Sequence, residues 1–429
     1  MSDAISAPDR PGWGANAAGR PASASTTAID RWVAARLQDW LAPAAIRVQL
    51  WNGWSPAARL QPEAVGTVVF TDRGALVKVT LEPDLQFGEM YMAGRADVCG
   101  PLVDVLAALG RLPDSERLSL RDRLALAWPR ANDLLTARRN VHHHYDLGND
   151  FYALWLDREM AYTCAYFPTE RATLEEAQIA KFDLVCRKLR LRAGERVIEA
   201  GCGWGALALH MAREYGVVVK AFNISTEQIR HARERAEHEG LADRVEFIED
   251  DYRNVAGQFD AFVSVGMLEH VGATHYPSLA SVVRRVLPAH GRGLLHFIGR
   301  DAPRPLNAWI RHRIFPGAYP PALTEVGDLV LRPAGMDVHH IENLRPHYAR
   351  TLDHWRQRYE AARPRVEQQF GSAFARAWHL YLAGSQAGFI TGSLQLYQVV
   401  FAPPASDQMF GVVDRGRIRV GSLHPHALG

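Results

Sequence analysis

Long apolar stretches are missing from this 429-residue chain. No run approaches the ~20 residues that span a bilayer, so no transmembrane helix is expected. The amino terminus lacks a charged-then-apolar leader, which argues against secretion. Cysteine is scarce: Cys99, Cys164, Cys186 and Cys202 are scattered, with no CxxC pair. That pattern speaks against a disulfide scaffold or a structural zinc and fits free thiols in a reducing cytoplasmic setting. Lysine is rare beside arginine; arginine suits phosphate head groups, although a GC-rich genome produces the same bias. A formal charge of +2 carries no sign of a nucleic-acid partner, and none is expected. What is present is an ordinary globular composition, 48% hydrophobic and 22% charged, long enough for two or three domains.

Residues 1–27 are rich in Ala, Gly, Pro and Ser without periodicity, and read as a disordered tail. A helical amphipathic pattern covers 28–40, and β-like runs follow at 46–50, 66–71 and 75–81. A helical stretch over 101–112 closes what is expected to be a small N-terminal α+β domain, 28–125. The segment 114–140 is helical in pattern and strongly charged, and 126–172 reads as a linker or packing arm. From residue 173 strand and helix alternate. Thr173-Leu-Glu-Glu176 has the form of a capping box opening a helix to about residue 191. Strands are expected at 196–200, 217–222, 244–249, 259–265 and 291–298, with helices at 204–215, 226–239 and 275–287 between them. This rhythm predicts an α/β fold, a doubly wound, Rossmann-like parallel sheet within 173–429. It breaks over about 300–335, rich in Pro, Trp and Arg, which predicts a cap insertion; strands resume at 336–344 and 394–401.

The first strand of that sheet ends Val197-Ile-Glu-Ala-Gly-Cys-Gly-Trp-Gly205. Gly201, Gly203 and Gly205 let a ligand approach the main chain, and a helix starting there is expected to leave backbone N–H groups free. The pattern E-x-G-x-G-x-G suits a cofactor without a pyrophosphate, and S-adenosylmethionine is the obvious candidate; a ligand-free tight turn is the plain alternative. The second strand ends at Asn223, with Ser225 and Gln228 in capping-box spacing. No carboxylate stands there to hold a ribose, so Asn223 and Gln228 either take that task or simply cap the helix. Glu269 and His270 end the fourth strand and His296 lies on the fifth, a rim position that serves catalysis or houses a buried structural pair. Phe151, Tyr152, Trp155, Tyr162, Tyr166 and Phe167 form either an aromatic core or the wall of an apolar channel. The run His142-His-His144 is not a metal site, because consecutive side chains diverge and no second ligand cluster has metal spacing.

These residues carry a resemblance. His144-Tyr-Asp-Leu-Gly-Asn-Asp-Phe-Tyr152, Tyr162-Thr-Cys-Ala-Tyr-Phe167, Gly201-Cys-Gly-Trp-Gly205, Asp251-Tyr-Arg253, Gly266-Met-Leu-Glu-His-Val-Gly272, His296-Phe-Ile-Gly299, His347-Tyr-Ala-Arg-Thr-Leu352 and Leu394-Gln-Leu-Tyr-Gln-Val-Val-Phe401 occur in order. Over about 45–402 the chain resembles the cyclopropane-fatty-acyl-phospholipid synthase family, which includes the mycolic acid cyclopropane synthases. The resemblance implies a class I methyltransferase fold and transfer of the S-adenosylmethionine methyl to the double bond of an unsaturated acyl chain. It implies a bicarbonate ion as the base, held by Cys164, Glu269, His296, the main chain at Ile298, and Tyr348. Cofactor contacts carry over to Tyr162, Thr163, Gly201, Gly203, Gly205, Asn223, Ser225, Gln228, Tyr252 and Arg253. Three positions depart from the family pattern: Asn223 and Ala161 where threonine is common, and Ser385 where many members have cysteine.

The run Gln86-Phe-Gly-Glu-Met-Tyr-Met92 resembles the family's N-terminal domain, which implies that 28–125 engages lipid and that the substrate is a phospholipid. The same resemblance makes 126–172 an active-site arm. A protein that takes acyl chains from a bilayer is expected to dock peripherally, here on the inner face of the membrane from the cytoplasm. Trp309, Arg311, Arg313 and Phe315 are the expected access route, arginine for phosphate beside exposed aromatics. A homodimer is a further possibility the resemblance raises. Loss of a different proton, or capture of water, gives methylene- or hydroxyl-branched products instead of the ring. A non-catalytic lipid- or cofactor-binding protein is the remaining alternative.

Overall fold

The computed structural model describes residues 25–57, 64–112 and 147–406. Residues 1–24 of the tail expected over 1–27, the charged segment 114–140, the part 126–146 of the arm and the triple histidine lie outside them, while Thr27 of the expected tail caps a helix. The chain divides into two compact units after Ser115, and Tyr359–Gly384 belongs to the first unit although the sequence assigns it to the 173–429 domain.

The first unit holds a three-stranded sheet, β1 (Ile46–Gln49), β2 (Gly66–Phe70) and β3 (Ala96–Cys99), in the order β1-β2-β3. Its first helix, Ala28–Leu41, opens with a capping box between Thr27 and Asp30 and buries Ala34, Leu37 and Leu41. The β-like run expected at 75–81 is a helix, Arg73–Leu81. Asp72 overrides the β-branched alternation by capping the Ala75 N–H at 3.0 Å, and Arg95 holds Asp72 in place through Nε at 2.9 Å. Ala75, Leu76 and Val79 then form a helical buried stripe. Pro83–Met92 is also helical, and together with β3 it was not foreseen.

The second unit is built on a seven-stranded sheet in the order β6-β5-β4-β7-β8-β10-β9. Strands β4 (Arg196–Ala200), β5 (Val218–Asn223), β6 (Val245–Glu249), β7 (Ala261–Val265) and β8 (Arg292–Gly299) are mutually parallel. The strand order reverses beside β4, the switch point at which open α/β sheets bind ligands. Strands β9 (Asp337–Asn343) and β10 (Gln395–Ala402) complete the sheet antiparallel, with Gln398 opposite His296. Helices Ala206–Tyr215, Thr226–His238 and Tyr276–Val286 fall where the 3.6-residue pattern puts them, within two residues at either end. Between β8 and β9 the insertion forms short helices, Ala308–Arg313 and Leu323–Val326 among them. Two apolar cores cover the faces of the sheet. One is centred on Val197, Leu209 and Val263, the other on Ile198, Phe262 and Leu279. Among the described residues no helix is long and apolar enough to cross a membrane.

Candidate active site

A cavity of about 170 Å³ opens at the carboxyl ends of β4, β5 and β7. Tyr162, Thr163, Gly201, Gly203, Asn223, Gln228, Tyr252 and Arg253 line it; Gly205 and Ser225 do not. Gly205 instead sits where a Cβ would meet Phe247 Cζ at 2.6 Å and the Ala232 Cβ at 2.9 Å, so its smallness lets the helices close on β6. Ser225 caps the Gln228 N–H at 3.4 Å.

The glycine loop offers space more than donors. The N–H groups of Gly201 and Cys202 both go to Phe222 O, and that of Gly205 to Cys202 O. At Gly203, with φ of +54°, an added Cβ would touch no atom within 4 Å. The expectation of free N–H groups therefore fails at three of the loop's positions, because β5 and the loop's own turn claim them. Trp204 Nε1 donates to Asn149 Oδ1 at 2.8 Å and pins the loop to the helix Asn149–Ala153. Asn223 is committed within the protein. Its Nδ2 donates to Gly203 O and Gln228 Oε1, and its Oδ1 accepts from Ile224 N and Ser225 N. With its Oε1 occupied by Asn223, Gln228 contributes its NH2 as the polar donor of the pair.

Lys181, which sequence reasoning missed, and Glu199, which belongs to the E-x-G-x-G-x-G pattern, also line the cavity. Lys181 is fully buried on the helix Leu174–Lys188; its ammonium donates to Thr163 Oγ1 at 2.9 Å and lies 4.0 Å from the Phe182 ring centre. Glu199, the acid of the glycine motif, is buried with Oε2 unpartnered. Burial raises the Glu199 carboxyl to about 8, against the pull of Lys181, and lowers the Lys181 ammonium to about 8. A cation in the cavity would satisfy the orphaned Glu199 oxygen, which fits a sulfonium-bearing, amino-acid-tailed cofactor. The signal for Lys181 is its place between Ala177, Ala180, Phe182 and Leu184 in the apolar pattern of that helix.

The five residues implied as the anion site do not line this cavity; Cys164, Glu269, His296 and Tyr348 are buried. Glu269 Oε1 accepts a very short bond from the Ile298 N–H, two residues along β8 from His296, leaving Glu269 Oε2 and His296 Nε2 as buried unpartnered atoms. Burial pushes Glu269 up to about 7 and holds His296 well below its usual value. Tyr348 stands in the first turn of the helix Arg345–Phe370, and the Thr351 side chain of the same helix hydrogen-bonds to the Cys164 thiol. Thr351 Oγ1, one turn beyond Tyr348, accepts from Ala165 N at 3.0 Å and donates to His347 O at 2.7 Å, fixing the backbone beside Cys164. Burial pushes the Cys164 thiol up, so it remains a neutral thiol. The Lys181 charge acts on both Cys164 and His296.

The aromatic cluster is mostly core. Phe151, Tyr152 and Trp155 are fully buried and pack on one another at centroid distances of 5.3–6.1 Å, while Tyr162 alone of the six lines the cavity. Tyr166 packs tilted against His347 at 4.7 Å, and Phe167 lies parallel to the same ring at 6.4 Å. The expected access route needs correction: Trp309 is 3% exposed, its ring taken into the protein interior by the helix Ala308–Arg313. Arg311 Nε is spent on Leu306 O, and Phe315 lies edge-on to His270 at 5.7 Å. Pro316 of the insertion does line the cavity, and Tyr319 N donates to Glu269 O.

Known proteins are similar to this chain in sequence and fold. A family model described as mycolic acid cyclopropane synthetase matches residues 132–399. The chain is 35% identical to a probable fatty acid methyltransferase of Pseudomonas putida, over 84% of this chain and 93% of that protein. It is 37% identical to a cyclopropane-fatty-acyl-phospholipid synthase of Escherichia coli, over 76% and 85% respectively. A solved cyclopropane synthase of Mycobacterium tuberculosis, 31% identical, superposes with a TM-score of 0.60, covering 63% of this chain and all of that one. A mycolic acid cyclopropane synthase complexed with SAH and CTAB gives 0.59 at 31% identity, covering 62% and 97%. With the sheet order, the switch-point cavity and these matches together, the chain belongs to the cyclopropane synthase family and is an S-adenosylmethionine-dependent methyltransferase of class I fold.

Proposed function

We propose that this protein converts the cis double bond of an unsaturated phospholipid acyl chain into a cyclopropane ring. The observation that carries the reading is the pair of buried, unpartnered atoms at Glu269 Oε2 and His296 Nε2, in the same unit as a switch-point cavity with an orphaned acid. Tyr162, Thr163, Gly201, Gly203, Gln228, Tyr252 and Glu199 would hold S-adenosylmethionine, and Cys164, Glu269, His296, Ile298 and Tyr348 would hold bicarbonate. When bound, the first supplies an electrophilic methyl group and the second a small base.

The chain's own residues meet the remaining demands. An alkene is a weak nucleophile, so placement within attack distance carries much of the rate, and Gln178 serves it by anchoring the 161–163 backbone. A carbocation on the acyl chain is destroyed by water, and the buried aromatic layer behind Tyr162 excludes it. The Tyr162 and Trp204 faces at the cavity tolerate positive charge. Glu269, carboxylate above about 7, accepts a proton-bearing oxygen, and His296 offers the opposite polarity beside it.

Docking on the inner membrane face is supported by the first unit. Ile29, Trp32 and Trp40 share the outer face of the helix Ala28–Leu41, and Leu81 and Val77 are exposed on Arg73–Leu81, with Arg36 stacked on Trp32. Tryptophan with arginine suits the head-group boundary. The relative described as a probable fatty acid methyltransferase leaves the product of the transfer open, and the second reading is loss of a different proton to give a methylene branch. Incubation with S-adenosylmethionine and a cis-unsaturated phospholipid, followed by proton NMR of the lipid, decides. High-field ring methylene signals establish the ring, new olefinic signals establish the branch, and unchanged lipid rejects both.

A further inference from the structure

We infer that Lys188 and Gln398 fix the tautomer of His296, placing its proton on Nε2 so that the ring presents a neutral N–H donor to the anion site. The geometry runs in one direction. Lys188 Nζ, which has only protons to offer, lies 2.6 Å from Gln398 Oε1 and 2.6 Å from Glu342 Oε2. The first contact orients the Gln398 amide, since reversing it would bring two NH-bearing groups together. The Gln398 NH2 therefore faces His296 Nδ1, 3.0 Å away, and donates to it. A neutral imidazole has one proton, so with Nδ1 accepting, Nε2 must carry it. Nε2 is the ring atom that is buried without a partner. All three central groups are shut off from water, His296 and Lys188 at 4% exposure or less and Gln398 at none, so solvent cannot scramble the order.

The arrangement solves an electrostatic problem. Burial and the Lys181 and Lys188 charges keep the ring from becoming a cation. A neutral ring left alone would distribute its proton over both nitrogens, and a proton on Nδ1 would turn a lone pair toward an anion. The lysine's charge is balanced by the Glu342 carboxylate and it meets the ring through a neutral amide, so the site gains a directed donor without gaining a fixed positive charge next to the reacting chain. Lys188 and Gln398 are thus positioning residues: neither touches substrate, and both act through His296. The functional half of this inference rests on the proposed reaction; the tautomer itself does not.

The test uses the full-length protein labelled with 15N-histidine, whose ring nitrogens report protonation through long-range 15N–1H correlations without any ligand. Wild type and Lys188→Arg, which keeps a donor for Gln398 Oε1, are expected to show His296 as Nε2–H. In the near-isosteric Gln398→Glu the carboxylate accepts from the ring, so the proton moves to Nδ1, and turnover on unsaturated phospholipid falls at least ten-fold while KM for S-adenosylmethionine stays within two-fold. Wild-type His296 protonated on Nδ1 overturns the inference, whatever happens to the variants. A flipped ring with undiminished turnover overturns its functional half. A wild-type Nε2–H ring in a protein that methylates no lipid leaves the lock supported and rejects the proposed reaction instead.

Discussion

Replacing Gly203 and Gly205 in turn by alanine separates the two tasks of the glycine loop. Both residues have positive φ, +54° and +85°, which costs an L-residue roughly 1–2 kcal/mol. At Gly203 that is the whole cost to the fold, because the new methyl meets nothing within 4 Å. At Gly205 the methyl meets Phe247 at 2.6 Å and Ala232 at 2.9 Å, adding about 1–3 kcal/mol of overpacking. With roughly 2–4 °C per kcal/mol for a domain of 150–250 residues, Gly203→Ala should lower the unfolding temperature by several degrees and Gly205→Ala by about twice as much. Binding should rank the other way. The open space over Gly203 is cavity, so its methyl displaces ligand atoms directly, and S-adenosylhomocysteine should bind at least about ten-fold more weakly, which is ~1.4 kcal/mol. Gly205→Ala, where folded, should bind within a few-fold of wild type. Scanning calorimetry and isothermal titration measure both quantities. Wild-type affinity in Gly203→Ala would refute the assignment of this cavity to the cofactor.

Three further outcomes follow, two from single residues and one from a pair. Burial keeps a proton on Glu269 up to about 7, whereas the unfolded chain releases it near 4.5. Stability from this group is complete below the unfolded value and lost as pH rises through about 7, a span worth on the order of 3 kcal/mol. Thermal unfolding of Glu269→Gln should therefore decline less than wild type between about pH 5 and about pH 8; parallel curves would contradict the burial argument. Arg292, 1% exposed, donates to both Glu195 carboxylate oxygens and to Leu189, Arg190 and Asp260 carbonyls, so Arg292→Met should lose about 3–5 kcal/mol in urea unfolding. Trp32→Glu combined with Trp40→Glu should abolish sedimentation with anionic phospholipid vesicles while leaving S-adenosylhomocysteine affinity unchanged; undiminished sedimentation would remove this face from membrane docking.

The parallel half of the sheet was legible because each strand and helix advertises itself locally. Thr173 and Ser225 cap their helices as spaced, and β4 through β8 fall within two residues of their expected limits. Arg73–Leu81 was not, because what makes it a helix is Asp72 held by Arg95, a partner 23 residues away that no local pattern reveals. The residues proposed to hold an anion were reached through resemblance; the pattern alone could offer Glu269 and His296 as rim residues and no more. Gln398 and Lys188 were invisible for a topological reason. They lie 210 residues apart and meet only because β10 runs antiparallel beside β8, a pairing set by the end of the sheet and not by either segment. Trp309 misled because an aromatic among arginines reads as surface, whereas Asn307 caps its helix and turns that ring inward.

The place of β10 has a consequence for biosynthesis. On the ribosome β8 is made about a hundred residues before its antiparallel neighbour, and β9 can join the sheet only through that late strand. Until Gln395–Ala402 has left the exit tunnel, the nascent chain shows β8 as a raw hydrogen-bonding border, with the ring of Phe401 still missing from its seat over Gly293. Chaperone demand during translation should accordingly peak late, and His296 acquires its proton-directing neighbour among the last acts of folding.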